Sequence, residues 1–360
     1  MQINSILIAA SLASMFVASV DVLAQDGSIT SQVADAVLSP FEPQMPSLNG
    51  ATLWLNSAPL TSEQLRGKVV VVAFWNYTCI NWIRELPYVR AWAEKYKRNG
   101  LVVIGVHSPE FEFEKDPENV RRALSEMRID YPVAMDSKHV IWDAFDNQYW
   151  PALYFVDSQG RVRHHHFGEG EYEASELLIQ KLLVEAGVTG FDHATVSPHP
   201  EGVEASADWD SLRSPETYIG YDRAENFNSS AIEVRDESVV YPLPVRLALN
   251  NWALGGDWTV KMQAAYLNKA GGRIAYQFHA RDLHVVMGPA VKGMEVRFRI
   301  LIDGHVPGPD HGVDVDDGGN GTVTEQRLYQ LVRQKSSVKD RRFEIEFLDP
   351  GVEAYSITFG

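Results

Sequence analysis

Between the polar turn Arg66-Gly67-Lys68 and Trp75 the chain reads VVVVAFW, a run with no polar position on either face. Such a run predicts a strand buried on both sides, as in the parallel or mixed sheet of an α/β domain. The period then changes. Ile83, Leu86, Val89 and Ala93 recur at helical spacing, Lys95, Lys97 and Arg98 supply a basic last turn, and Gly100 a C-cap. A helix is therefore predicted from near Cys79. LVVIGVH (101–107) predicts a second buried strand. Asp116-Pro117-Glu118 suits the N-cap and first turn of a helix to Met127. YPVAMD predicts a further short strand, and residues 137–145 a third helix. ALYFV and VRHHHF flank Asp157-Ser158-Gln159-Gly160, which reads as a hairpin turn. Helical spacing resumes from Ala174 to Ala186 and stops before Gly187.

Past residue 188 the periodicity lapses. Residues 189–213 hold prolines, small residues and acids, the texture of a linker. From 214 onward, short alternating segments (WTVKMQAAY, RIAYQFH, DLHVVM, EVRFRILID, RFEIEFLD, AYSITF) stand between Gly, Pro, Asn and Asp turns, which predicts an antiparallel sandwich or jelly roll. At the other end, residues 2–20 are uncharged and Val22-Leu23-Ala24 suits cleavage before Gln25. Residues 1–24 therefore read as a signal peptide, with an uncleaved anchor as the alternative because Lys and Arg are missing ahead of the apolar stretch. The expected organisation is a signal (1–24), an N-terminal segment (25–45), an α/β domain (46–188), a linker (189–213) and a β-domain (214–360). No span after the signal approaches membrane-crossing length, so an exported, periplasmic or otherwise extracytoplasmic protein without a transmembrane helix is expected.

Composition narrows the function. The 360 residues are 45% hydrophobic, enough for two packed cores, and the net charge is −16 with no basic run, which argues against nucleic acid as a partner. Cys79 is the only cysteine. No internal disulfide is possible, so the thiol is either a small buried hydrophobe or a reactive group.

Position favours reactivity. A strand running through a loop into a helix puts Cys79 at the helix N-terminus, where backbone N–H groups and the dipole are expected to stabilise a thiolate and lower its pKa. Pro87 is expected to interrupt the helix. Pro151, after Trp150 and before a strand, is a candidate cis proline. The order strand, W-x-x-x-C-x-x-x, helix with proline at plus eight, and distant proline before a hairpin resembles the thioredoxin fold, and the inserted strand and helix over 101–128 resemble the TlpA-like thiol-disulfide oxidoreductases. FWNYTCIN, GVHSPEFEFEKDPENVRRA, YWPALYFVDSQGRVRHHHFGEG, SPETYIGYDRAENF and FEIEFLDPGVEAYSITFG are similar to the extracytoplasmic part of DipZ proteins over nearly all of 46–360. The resemblance implies an α/β thioredoxin-like fold, a central mixed sheet with flanking helices, followed by an all-β jelly roll or sandwich. It further implies that Cys79 is the attacking cysteine, Pro151 the flanking cis proline, and Glu110 an acid near the thiol that shuttles protons or raises its pKa. Trp75, Trp82 and Trp150 are expected to line the substrate surface. No cofactor is expected.

One departure governs the function. Trp82 stands where the family carries its resolving cysteine, and Ala73 where thioredoxins often hold a buried acid. A mixed disulfide at Cys79 must then be discharged by an outside thiol. Three readings follow: a monothiol oxidoreductase acting on cysteine-containing proteins or small thiols; a redox-inactive scaffold whose β-domain binds glycan or protein; and a one-cysteine peroxide-reactive protein, which lacks the P-x-x-x-T-x-x-C spacing of peroxiredoxins.

Other motifs are weaker. Only His164 and His166 of the HHH run would share a strand face, giving zinc too few ligands. Asp314, Asp316, Gly319 and Glu325 match part of a calcium loop, but Gly318 fails at position 5 and no helix leads in, so a glycine-rich turn and no metal site is expected. Trp252, Trp258, Tyr266 and Tyr276 are candidates for stacking on cell-wall glycan if exposed.

Overall fold

The computed structural model describes residues 43–228, 234–335 and 337–360; the predicted signal peptide lies outside them. A short strand, β1 (Leu53–Leu55), and a short helix, α1 (Ser62–Leu65), precede the apolar run. That run forms β2 (Val69–Trp75), and every one of its residues is buried. Then follow α2 (Ile80–Tyr96), β3 (Leu101–His107), α3 (Pro117–Glu126), β4 (Val133–Met135), α4 (Val140–Ala144), β5 (Ala152–Val156), β6 (Val162–Phe167) and α5 (Tyr172–Glu185). The strands form one six-stranded sheet in the order β1-β4-β3-β2-β5-β6. Pairing is parallel for β2 with β3 and β3 with β4, and antiparallel elsewhere. β2 sits centrally, which is why both its faces are apolar.

Local signals account for most boundaries. The Asp116 side chain accepts the Glu118 N–H at the head of α3, with Pro117 in the first turn. Gly100 takes φ 89° after α2, a left-handed conformation that suits glycine. Pro87 lies inside α2 and does not end it. The helix runs on through it, because buried Leu86, Pro87 and Val89 hold the segment against the core at the cost of one backbone hydrogen bond. The segment WTVKMQAAY, expected as one strand, is divided by a turn.

The second half is all β: β7 (Thr217–Tyr218), β8 (Ser238–Tyr241), β9 (Trp252–Val260), β10 (Ala265–Leu267), β11 (Gly272–Phe278), β12 (Asp282–Pro289), β13 (Val296–Ile302), β14 (Asn320–Val323), β15 (Arg327–Arg333), β16 (Arg341–Phe347) and β17 (Val352–Phe359). They make an 11-stranded sheet in the order β14-β13-β16-β11-β9-β10-β17-β12-β15, with β7 on β17 and β8 on β9. The sheet curls on itself, and its two arms share a core that includes Trp252, Trp258, Tyr276, Phe298 and Phe343. Trp252, Trp258 and Tyr276 are at most 1% exposed, and Tyr266 is half-buried. The aromatics expected to stack on glycan are packing residues.

The two halves meet on a wide face. Ala264, Val286, Leu328 and Tyr355 of the β-half join the core of the thioredoxin half, and Tyr355 packs on Phe111 and Phe113 at 5.1 and 4.6 Å. Arg84 of α2, buried, pairs with Glu169 at 3.0 Å and donates to the Phe359 carbonyl at 3.3 Å. Residues 189–213 carry no long element, yet they are not a free tether. Glu176 of α5 accepts the Val196 N–H, Gln180 donates to the His193 carbonyl, and Arg90 of α2 pairs with Glu204. All of this lies in one compact unit, Ser39–Gly360.

Candidate active site

β2 delivers the chain to Trp75, and a short loop then sets Cys79 at the N-cap of α2. That loop is pinned from two sides. Asn76 Oδ1 accepts the Thr78 N–H at 3.1 Å, and the Thr78 hydroxyl donates to Glu114 Oε1 at 2.7 Å. Glu114 Oε2 accepts the N–H groups of Glu110 and Phe111. One buried carboxyl thus ties the loop before the cysteine to the loop after β3. Burial, and secondarily the charge of Glu110, push its pKa up to about 8.

Cys79 as a residue is partly exposed, with its sulfur set down among the cleft walls. Its pKa moves opposite to expectation, well above that of a free thiol. Loss of solvent around the sulfur, buried beneath the cleft walls, is the main cause, and the carboxylates of Glu216 and Glu110 add to it. The backbone N–H groups of Trp82 and Asn81 at the helix start do favour the thiolate, but they are outweighed.

Trp82 and Trp75 were expected beside the thiol on the substrate surface, and the structure places both underneath it. Each is fully buried, and their rings stack at 4.3 Å. Room for the pair comes from Gly105 on β3, where an added Cβ would lie 2.7 Å from Trp75 Nε1. His107 abuts Trp75 edge-on at 4.8 Å and lies parallel to Tyr77 at 5.8 Å; burial holds it neutral, with a pKa down at about 3. A large apolar ring at position 82 reached the core because the helical face of Trp82, Leu86 and Val89 turns inward.

Trp150 does line the cleft with Cys79, its indole N–H donating to the Ser108 carbonyl at 3.0 Å. The Trp150-Pro151 peptide is cis, as the sequence suggested. Glu110 is there too, but engaged: its Oε1 accepts from Tyr218 at 2.6 Å and Arg223 at 2.8 Å, both from the β-half. Residues from both halves therefore wall one cleft of about 430 Å³ with Cys79 at its base.

Sequence reasoning missed four of the charged or polar groups here. Tyr218, Arg223 and Glu216 lie within or beside SPETYIGYDRAENF, a motif read for likeness alone. Glu216 is reached by solvent, yet crowding in the cleft and the nearby Glu110 push its pKa up to about 7. Glu85 was also missed, although its spacing from Trp82 puts it on the inward stripe of α2. It is wholly buried, neither carboxyl oxygen has a hydrogen-bond partner among the described residues, and burial drives its pKa well up.

Among the described residues no group of three or more His, Cys, Asp or Glu converges as metal ligands. In the glycine-rich turn Asp314 is taken by Arg327 at 2.7 Å and by the Gln330 N–H, and Asp316 by Asn320.

Comparison with known proteins matches both halves of the chain. Residues 44–165 match the AhpC/TSA family and residues 214–360 the thioredoxin-like C-terminal domain. The thiol-disulfide oxidoreductase YkuV of Bacillus subtilis is 35% identical over 142 residues, which is 39% of this chain and 95% of YkuV. The chain belongs to the TlpA/DipZ-like thioredoxin family. Protein DipZ of Mycobacterium tuberculosis and of Mycobacterium bovis is 39% identical over 249 residues, 68% of this chain but 35% of DipZ, so the match spans about a third of that relative. A thiol-disulfide isomerase from Corynebacterium glutamicum aligns at 28% identity over 37% of this chain and 92% of its own, with a TM-score of 0.35.

Proposed function

We propose that this member of the family is a thiol-disulfide oxidoreductase working outside the cytoplasm with a single thiol. The Cys79 thiolate attacks one sulfur of a disulfide R–S–S–R, a Cys79–S–S–R bond forms, and R–S⁻ departs with the electron pair and takes up a proton. A second thiol from solution then attacks the mixed disulfide and returns Cys79 to the thiol. The observation that carries this reading is the pairing of an accessible Cys79, opening into a cleft at the head of α2, with a Trp82 so deeply packed that no second sulfur or ligand-binding surface exists beneath it. Export rests on the uncharged apolar stretch near the start of the chain.

The raised thiol pKa favours a second reading, a redox-inactive scaffold, since thiolate is scarce at neutral pH. It also has a converse effect: a basic thiol is a strong nucleophile once ionised and a poor leaving group, so its mixed disulfide is long-lived. The two readings part in one experiment. The protein is incubated with a disulfide-labelled cysteine peptide and weighed intact. The oxidoreductase reading expects one peptide added per chain and none in Cys79→Ser; an unmodified wild-type chain after prolonged incubation at alkaline pH supports the scaffold.

A further inference from the structure

The walls of the thiol cleft carry an unbalanced charge. Arg223 is committed, its Nη1 2.8 Å from Glu110 and its guanidinium 3.6 Å over the Tyr218 ring. Glu216 has no cation at ion-pair distance among the described residues, and it lies close enough to Cys79 to raise the thiol's pKa. Around them stand the rings of Tyr149 and Trp209, 51% and 55% exposed, and the half-buried Trp150, which packs on Trp142. Tyr218 and the more distant charge of Arg223 favour the ionised Glu216, but the Arg223 ion pair is with Glu110. A carboxylate whose neighbouring cation is already paired, set among aromatic faces, is the chemistry that receives an ammonium or guanidinium group.

We propose that this cleft selects disulfides bearing a positive charge within a few bonds of sulfur, with Glu216 of the β-half as the specificity residue. The proposal rests on the reading of Cys79 as a thiol that forms mixed disulfides. The cavity of about 430 Å³ admits a small molecule or a few residues of extended chain. The cation does more than bind: neutralising Glu216 removes a charge that opposes ionisation of Cys79, so a cationic disulfide promotes the thiolate that attacks it. The net charge of −16 concentrates the same substrates and repels anionic ones. The bonds exchanged are those of the proposed cycle: the Cys79–S bond forms, the substrate S–S bond breaks, the departing half is reduced to a thiol, and an outside thiol later reduces Cys79.

The test measures adduct formation on the intact chain with cystamine, neutral hydroxyethyl disulfide and anionic oxidised glutathione. Lys-Cys and Glu-Cys peptide disulfides are run alongside, and every rate is divided by that of N-acetylcysteine with the same disulfide. On this normalised scale cystamine is expected to exceed oxidised glutathione by about tenfold, and by less in high salt. Glu216→Gln should lower the normalised ratio to the small excess left by the net charge, and Glu216→Lys should lower it further; ratios are immune to the change in thiol pKa that these variants bring. A preference confined to the Lys-Cys peptide supports the proposal with an extended chain as the source, and one shared by cystamine supports small disulfides. Reaction with neutral disulfide but a normalised ratio at unity, or one unmoved in Glu216→Lys, overturns the charge selection and leaves the monothiol reading standing. No adduct with any disulfide overturns both.

Discussion

At Cys79 two effects oppose each other, and their balance was not legible in sequence. The helix start was readable from the change in hydrophobic period, and its N–H groups do favour the thiolate. The cost of burial was not readable, because the groups that close over the thiol come from separate stretches of chain, Glu110, Gln148 to Trp150 and the β-half. The rate of iodoacetamide modification is accordingly expected to keep climbing through pH 9.0, the ordinary thiol value here, and a plateau near neutrality would refute the raised pKa. Trp82 is the other residue whose role changed. Its position one helical turn from Cys79 was plain, but the stack on Trp75, permitted by Gly105, needed the fold. Trp82→Cys should lower stability by about 3 kcal/mol in urea unfolding through the cavity it leaves, while the introduced thiol gives Cys79 an internal resolving partner. An unchanged urea midpoint would mean that the stack is not packed as described.

At the scale of elements, β2, α2, β3 and the β5–β6 hairpin were all visible as period and turn chemistry, since each buries its own stripe. The loop after β3 was not visible, because what fixes it is one carboxyl. Glu114 is held protonated by burial, with a folded pKa of about 8 against an ordinary 4.5. Between those values the unfolded chain has released the proton and the folded chain has kept it, so stability is fullest below pH 4.5 and falls as pH rises toward 8. Glu114→Gln mimics the protonated form. It should flatten that part of the urea stability profile against pH and raise stability near pH 8 by a few kcal/mol in order of magnitude. A slope equal to that of the wild type would show that Glu114 titrates normally.

At the scale of the whole molecule, the sequence announced two halves and a change of texture, but not that they close over one site. That information sits in contacts such as Arg84 to Phe359 and Glu110 to Tyr218, which pair residues with no local pattern in common. Gly360 packs so tightly on the Arg84 guanidinium that a Cβ has no room there. Because Arg84 neutralises the buried Glu169, Arg84→Ala should cost about 3–5 kcal/mol in urea unfolding; a loss below ~1 kcal/mol would show that the pair is solvated. On the monothiol reading, Cys79 lacks an internal partner and completes its cycle with a thiol from outside. The most direct measurement follows the intact mass of the chain at mildly alkaline pH, first with cystamine and then after excess small thiol. The mass should rise by one half-cystamine and return to its starting value, through repeated rounds, with no change in Cys79→Ser. A chain that never gains the mass, or gains it and cannot be discharged by the small thiol, contradicts the account.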